Sequence, residues 1–408
     1  MTNNILVLGA GSLQVPLIQT VKSRGYRAIV VSLYEDEPGM QIADEKVIAD
    51  FCDEDIILDY ALKYDICGIL TDQTDIPVRT VAYVAEKMNL PGIGYETACI
   101  FTNKFLMREK CQELGIPTIR FRLAYGIGDA ILFYEEIGRD VILKPINNQG
   151  SKGVYRISSL DELYAKYHEA ERYSRGEPIL VEEYIAGEEM VIEALTYNGV
   201  TEGLICGDTY YFNIPDTFSA KQRLFPSCKN SSLIDKALSL NKTIVEGFGL
   251  KNGITHGEYI ISKEQIYLIE IAARGGGVYI SSDIIPLMTG FDTNSFIVSM
   301  AVDGKISSPE IRKIDKTVCY IAFFLPAGRI IRIDGREEVY AMPFVRRNNL
   351  DMLYVGKKTG ENIDKTSRFF FVVEAESDYK MKSYIRSIRE KLKIEVETAR
   401  GVKGIIWD

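Results

Sequence analysis

The chain has 408 residues, 46% of them hydrophobic and 26% charged, which gives room for two or three domains and enough apolar content for a large core. A formal net charge of -9, with no long lysine or arginine block, argues against a general nucleic-acid or anionic-membrane binder. No apolar run reaches the length of a membrane span, and Met1 to Asn4 leads straight into a strand without a signal-peptide pattern, so a cytoplasmic protein is expected.

In chain order, Asn4 to Leu8 is a short apolar strand, followed by the turn Gly9-Ala10-Gly11-Ser12, a helical pattern from Leu13 to Ser23 and a second strand from Ala28 to Ser32. This βαβ opening predicts an open parallel-sheet α/β domain. The turn suits either tight packing or an anion at a helix N-terminus, but the third glycine of the dinucleotide fingerprint is missing. A helix near Asp53 to Lys63, a strand from Gly68 to Thr71 and a helix from Pro77 to Met88 continue the pattern. The segment Thr71 to Asp75 then falls at a strand's C-terminal end, which is the ligand side of such a sheet and equally a place for helix caps.

Asn103 to Leu114 reads as an amphipathic helix with Lys104 in its first turn, where a cation opposes the helix dipole. Lys144 ends the apolar strand from Val141, an uncommon place for an unpaired lysine. The loop Asn147 to Val154, with Gln149, Gly150, Ser151, Lys152 and Gly153, offers free N–H groups and a second lysine suited to a triphosphate. Pro178 to Ile185 is a strand running into carboxylates. Glu182 is placed to accept from a purine amino group, Ile185 to give a backbone contact and an apolar wall, and Glu189 to accept ribose hydroxyls, with surface acids as the alternative. The seven cysteines, scattered without a CxxC pair, read as reduced core residues.

His256 to Gly277 reads as a hairpin carrying two carboxylates. If Lys263, Glu264 and Gln265 form the loop, Ser262 pairs with Ile266 and Glu258 stands directly opposite Glu270, whereas a four-residue loop would separate them. Two facing carboxylates repel by roughly 0.2–1 kcal/mol when exposed, and desolvation adds several kcal/mol per ion. A cation removes that conflict, and an oxygen-only donor set suits Mg²⁺. Two glutamates on a solvated strand is the other reading of the hairpin alone.

The order NKFLMREKCQELGIP, VILKPINNQGSKGV, ILVEEYIAGEEMVIE and HGEY with LIEIAARGGG resembles the ATP-grasp superfamily, in particular its carboxylate-amine ligase branch, which is similar to L-amino acid ligase and more distantly to biotin carboxylase and carbamoyl phosphate synthetase. The resemblance implies an N-terminal α/β domain over 1–100, an ATP-grasp fold of two α+β subdomains over 101–310 with a lid near 116–184, and a small C-terminal α+β domain over 311–408. It further implies ATP at Lys104, Lys144, the Gln149 to Val154 lid and the hinge Glu182, Glu183, Tyr184 and Ile185, with Glu189 at the ribose and Mg²⁺ or Mn²⁺ on Glu258 and Glu270. The implied chemistry is activation of a small carboxylic acid or amino acid as an acyl phosphate, with ADP released, followed by attack of an amine. Lys144, Glu270 and Arg274 carry the catalysis in this reading.

One departure stands out. In Glu270-Ile271-Ala272-Ala273-Arg274 an alanine occupies the place where the superfamily usually has a metal-binding asparagine. That implies a metal held by fewer protein ligands or a weakened site. Related ligases carry the same variant, so an active enzyme is expected. A bicarbonate-activating carboxylase is one alternative, and a non-catalytic nucleotide-binding regulator is another. Arg274 is expected to grip the substrate carboxylate, beside the N–H groups of Gly275 and Gly276. His256 is either a phosphate or nucleophile contact or a buried structural residue. Gln73, Asp75, Arg223 and Tyr279 are further pocket candidates. Phe212 to Ser227, with Lys221, is read as facing an acidic substrate or as a solvated strand pair. After Pro309, strands are expected at Thr317–Leu325, Gly328–Ile333, Met352–Val355 and Arg368–Val373, then a helix from Ser377 to Lys393. Partners are small acids and amines, and homodimers are common among such proteins, though no sequence feature here decides it.

Overall fold

A computed structural model describes residues 3–214, 218–304, 310–360 and 368–408. The expected boundary at Pro309, residues 215–217 of the Phe212 to Ser227 stretch, and Met1 lie outside the described residues. The chain falls into two compact units, Met1–Ile205 with Asn230–Arg312, and Cys206–Lys229 with Lys313–Asp408.

The first unit opens with a parallel sheet in the order Glu45–Ile48, Arg27–Ser32, Asn4–Leu8, Gly68–Leu70. Leu6, Leu8, Ile29 and Val31 are fully buried, as expected of a parallel sheet covered on both faces. Each contributes about 1.5–3 kcal/mol of burial, which is what holds the following loop, Thr71 to Asp75, at the sheet's C-terminal edge. The first helix is Val15–Ser23, beginning two residues later than its pattern because Pro16 is fitted to the first turn.

A second, antiparallel sheet runs Phe121–Ala124, Ile179–Glu183, Val141–Pro145, Tyr155–Ile157. Its core of Leu143, Ile157, Leu163, Tyr167 and Val181 packs under the helices Ile127–Ile137 and Leu160–Glu171. The Lys104–Glu113 helix precedes this sheet, and the Asn103 side chain caps it by accepting from the N–H groups of Phe105 and Leu106 at 2.9 and 3.2 Å.

The strands Gln265–Ala272, Gly253–Ser262 and Glu188–Tyr197 lie side by side, all antiparallel. The hairpin loop is shorter than expected: Ser262 pairs with Gln265, so Lys263 and Glu264 alone make the turn, at φ of 50° and 66°. Positive φ at both central residues is the turn geometry that matches strand twist in a two-residue hairpin. That register by itself would set Glu258 opposite Ile269. A bulge between Glu258 and Tyr259 restores the pairing of Glu258 with Glu270, and beyond it Ile260 faces Tyr267 instead of Leu268.

In the second unit Ala220–Phe225, Thr317–Phe323, Phe369–Ala375 and Val345–Asn348 form consecutive antiparallel strands. The helix Asp378–Lys391 lies on a core including Phe323, Phe371, Met381, Ile388 and Val396. The expected strand Met352–Val355 is instead a single 3₁₀ turn, Leu350–Met352. Leu350 and Leu353 are buried while Met352, Tyr354 and Val355 are exposed, a spacing of three where a strand needs two. All seven cysteines are free, but only Cys111, Cys206 and Cys319 are buried core residues; Cys52, Cys67 and Cys99 are half-buried and Cys228 is exposed. Among the described residues no helix is long and apolar enough to cross a membrane.

Candidate active site

A cleft of about 620 Å³ opens in the first unit, walled by Lys104, Glu270, Asp75, Asn147, Asn148, Arg175 and the acidic turn Asp50 to Asp55. Lys104 is 6% exposed; its Nζ lies 2.8 Å from Glu270 Oε1 and donates to the Asn148 carbonyl at 2.6 Å. The cation that opposes its helix dipole is thus held by a carboxylate from the hairpin. Asn147 Oδ1 is buried without a partner among the described residues, a vacant acceptor beside that lysine.

Glu258 stands opposite Glu270, and Lys104 and His256 are drawn up against the two carboxylates. Facing carboxylates whose charge is already being offset by internal cations are a donor set that a hard divalent ion fits. Among the described residues no group of three or more His, Cys, Asp and Glu is arranged to hold a metal ion.

Behind this pair lies an ionic network that the sequence reading missed. Arg108, one helical turn after Lys104, is wholly buried; its Nε donates to Glu182 Oε1 at 2.7 Å and its Nη2 to the carbonyl of Ile269, the bulge residue, at 2.7 Å. Lys144 Nζ meets the other oxygen of Glu182 at 2.6 Å. Burial pushes Lys144 down to about 8. Burial also acts to raise Glu182, but Arg108 and Lys144 outweigh it and hold the carboxyl below its ordinary range. Glu182 is therefore shared by two cations in this structure. Glu183 pairs with Arg139, the Tyr184 ring lies under the Arg156 guanidinium at 4.0 Å, and Ile185 is half-buried beyond them. Glu189 sits on the strand that pairs with the hairpin, opposite Ile260. In the loop, Ser151 and Lys152 are exposed, and Gly150, Ser151 and Gly153 take positive φ. A Cβ on Gly153 would come within 2.9 Å of Tyr173.

Arg274 is gripped by Asp75 in a two-pronged pair, Nε to Oδ1 at 2.7 Å and Nη2 to Oδ2 at 2.9 Å. Burial opposes both charges, yet each holds the other ionised, Asp75 below and Arg274 above its ordinary value. The Gln149 side-chain oxygen accepts from Asp75 N at 2.7 Å and Thr74 Oγ1 at 3.2 Å, which ties the glycine loop to the same segment. The N–H groups of Gly275 and Gly276 are already taken, by Asp72 Oδ1 at 2.9 Å and Glu193 Oε2 at 3.0 Å. Asp72 is fully buried, and that burial pushes its carboxyl up to about 6. Gln73 and Tyr279 bind each other, Tyr279 N donating to Gln73 Oε1 at 3.0 Å. His256 is buried between Glu193 at Nδ1 and Glu258 Oε1, 3.2 Å from Nε2. Burial acts to lower this imidazole, but the two carboxylates hold it above its ordinary value. Arg223 belongs to the second unit, paired with Thr209 and Tyr320 in its sheet.

The structure thus brings Lys104, Glu258, Glu270, His256, Arg274, Asp75 and Gln149 into one connected set, with Lys144 and Glu182 joined to it through Arg108. Of the missed residues, Glu193 alone carried a signal, a charge inside the apolar run Met190 to Leu195, which requires a partner from elsewhere in the chain.

The family profile described as the ATP-grasp domain matches residues 137–283. A formate-dependent phosphoribosylglycinamide formyltransferase of Prochlorococcus marinus is 22% identical over 66% of this chain and 69% of its own length. A phosphoribosylamine–glycine ligase of Thermococcus kodakarensis is 25% identical over 78% of this chain and 77% of its own. The crystal structure of L-amino acid ligase from Bacillus licheniformis superposes with a TM-score of 0.81 at 21% identity, covering 97% of this chain and 99% of that one. With the two glutamates and the lysine-bearing strand inside the matched residues, the chain carries an ATP-grasp domain.

Proposed function

We propose that the chain is an ATP-dependent carboxylate-amine ligase. The observation that carries this reading is the cleft in which Lys104 stands against Glu270, directly across the hairpin from Glu258. The names of the relatives, one of them a ligase joining an amine to glycine, agree with it. In this reading an oxygen of the acid attacks the γ-phosphorus of ATP and ADP leaves. The amine nitrogen then attacks the acyl carbon, phosphate leaves, and the nitrogen gives up a proton. A divalent ion on Glu258 and Glu270 would supply charge neutralisation at the transferring phosphoryl. Lys104 and Lys144 bind and orient phosphate oxygens, and the Gln149 to Gly153 loop excludes water over them. No side-chain nucleophile is needed. Arg274, released from Asp75, grips the acid's carboxylate through its planar fork.

The test is ADP release from Mg-ATP across single acids, paired amino acids and bicarbonate. Stimulation by an acid and an amine together is expected. Stimulation by bicarbonate alone would move the chain to carboxylation, and silence with every addition, beside tight ATP binding, would leave a nucleotide-binding protein without this activity.

Lys144 provides a second check. Its charge is present below about pH 8 and lost above it, so nucleotide binding should weaken as pH rises through that value, with proton uptake on binding at the alkaline side. Lys144→Ala should weaken ADP binding about tenfold at pH 7, since one well-placed charge is worth about 1.4 kcal/mol, and should remove the alkaline step. Calorimetric titrations at pH 7 and 9 read both effects; an unchanged affinity would take Lys144 away from the phosphates.

A further inference from the structure

The carboxylate face of the hairpin has a regular plan. Three strands set Glu193, His256 and Ala272 in one row and Val191, Glu258 and Glu270 in the next. Residues in one row share a face, with Cβ atoms about 4.5–5.5 Å apart. Ala272 is 2% exposed, so its methyl lies in the packed interior, next to the imidazole. The ring bridges the rows: Nδ1 is bonded to Glu193 and Nε2 lies 3.2 Å from Glu258 Oε1. Glu193 is itself immobilised, being fully buried and accepting the Gly276 N–H at 3.0 Å with its other oxygen. A Cβ on Gly276 would meet Glu193 Oε1 at 2.4 Å, so the glycine turn and the carboxylate are fitted to each other.

We propose that His256, braced by Glu193, is a positioning residue that sets the orientation of Glu258 for a divalent ion, and that His256 and Ala272 are a matched pair. The small side chain at 272 leaves the corner of the face that the imidazole fills. With both ring nitrogens turned to carboxylates, His256 acts through Glu258 and does not reach the ion. This rests on the reading that Glu258 and Glu270 hold a divalent cation. It goes beyond that reading by assigning the loss of a polar side chain at 272 a structural counterpart in this chain. A metal-side carboxylate whose partner is itself held has one orientation, and removing such a partner typically costs 10–100-fold in metal affinity.

The experiment is a Mn²⁺ titration, read by the loss of the free-ion electron paramagnetic resonance signal, on the full chain with saturating ADP. Thermal melting accompanies each variant. His256→Ala should bind Mn²⁺ about 10–100-fold more weakly than wild type. Adding Ala272→Asn to it supplies an amide oxygen in the vacated corner and should regain most of the affinity. Ala272→Asn alone, with the imidazole in place, should weaken binding by crowding, and this variant decides the matter if His256→Ala fails to fold. Glu193→Gln should weaken Mn²⁺ binding without abolishing it. A His256→Ala protein with wild-type Mn²⁺ affinity, a double variant no better than His256→Ala, or an Ala272→Asn protein that binds as tightly as wild type would each overturn the proposal. A wild-type chain that takes up no Mn²⁺ with ADP, or a Glu270→Gln chain that takes it up equally well, would overturn the metal assignment itself and this inference with it.

Discussion

Glu270→Gln is expected to remove ADP release by more than about 100-fold, beyond the 10–100-fold typical of groups that only support a metal ligand. The amide keeps the shape of the side chain but not its negative charge. Glu270 faces Glu258 across the hairpin and touches Lys104 directly, so its charge is felt on the metal side and on the phosphate side together. Stability should change little. The Glu270 side chain is 28% exposed and Lys104 keeps the Asn148 carbonyl, so the lost pair is worth about 1 kcal/mol or less. The measurement is ADP release beside the melting temperature. Unchanged release in a folded variant would defeat the assignment of Glu270, and a collapsed melting temperature would make its role structural.

Much of this site could be read along the chain because its parts lie in short local patterns. A lysine at the end of an apolar strand, a lysine at a helix start and two glutamates on a hairpin are each anomalies within a few residues. Opposition of Glu258 and Glu270 was legible, but for a partly mistaken reason. A three-residue loop gives this pairing, whereas the chain reaches it by a two-residue turn and a bulge, two departures that cancel in register. Strand periodicity carries no sign of a bulge at Ile269, since an apolar residue there fits either arrangement. The 350–356 segment misleads because four apolar residues in a row, Met352 to Val355, suggest a strand, while burial of Leu350 and Leu353 alone makes it a turn. Pairings across the unit were illegible altogether. Nothing near Asp75 in sequence announces Arg274, nor does anything near Glu193 announce His256 and Gly276, because each partner arrives from a different strand or loop.

Arg108→Met is expected to cost about 3–5 kcal/mol of stability, the usual result of removing one member of a buried ion pair. The side chain is wholly buried and serves two elements at once. Its loss leaves Glu182 with Lys144 alone and leaves the Ile269 carbonyl, freed from the ladder by the bulge, without its charged donor. An unsatisfied buried acceptor costs about 1–3 kcal/mol by itself, and the two losses overlap because one guanidinium serves both. The melting temperature should fall by on the order of 10 °C. Arg108→Lys separates the two functions: it restores a charge near Glu182 but cannot reach two acceptors in a fixed fork, so it should recover only part of the loss. Mn²⁺ affinity should fall in both variants, because the bulge that Arg108 pins is what sets Glu270 across from Glu258. Full Mn²⁺ affinity in a destabilised Arg108→Lys protein would mean that the bulge holds its register unaided, and that Arg108 contributes stability alone.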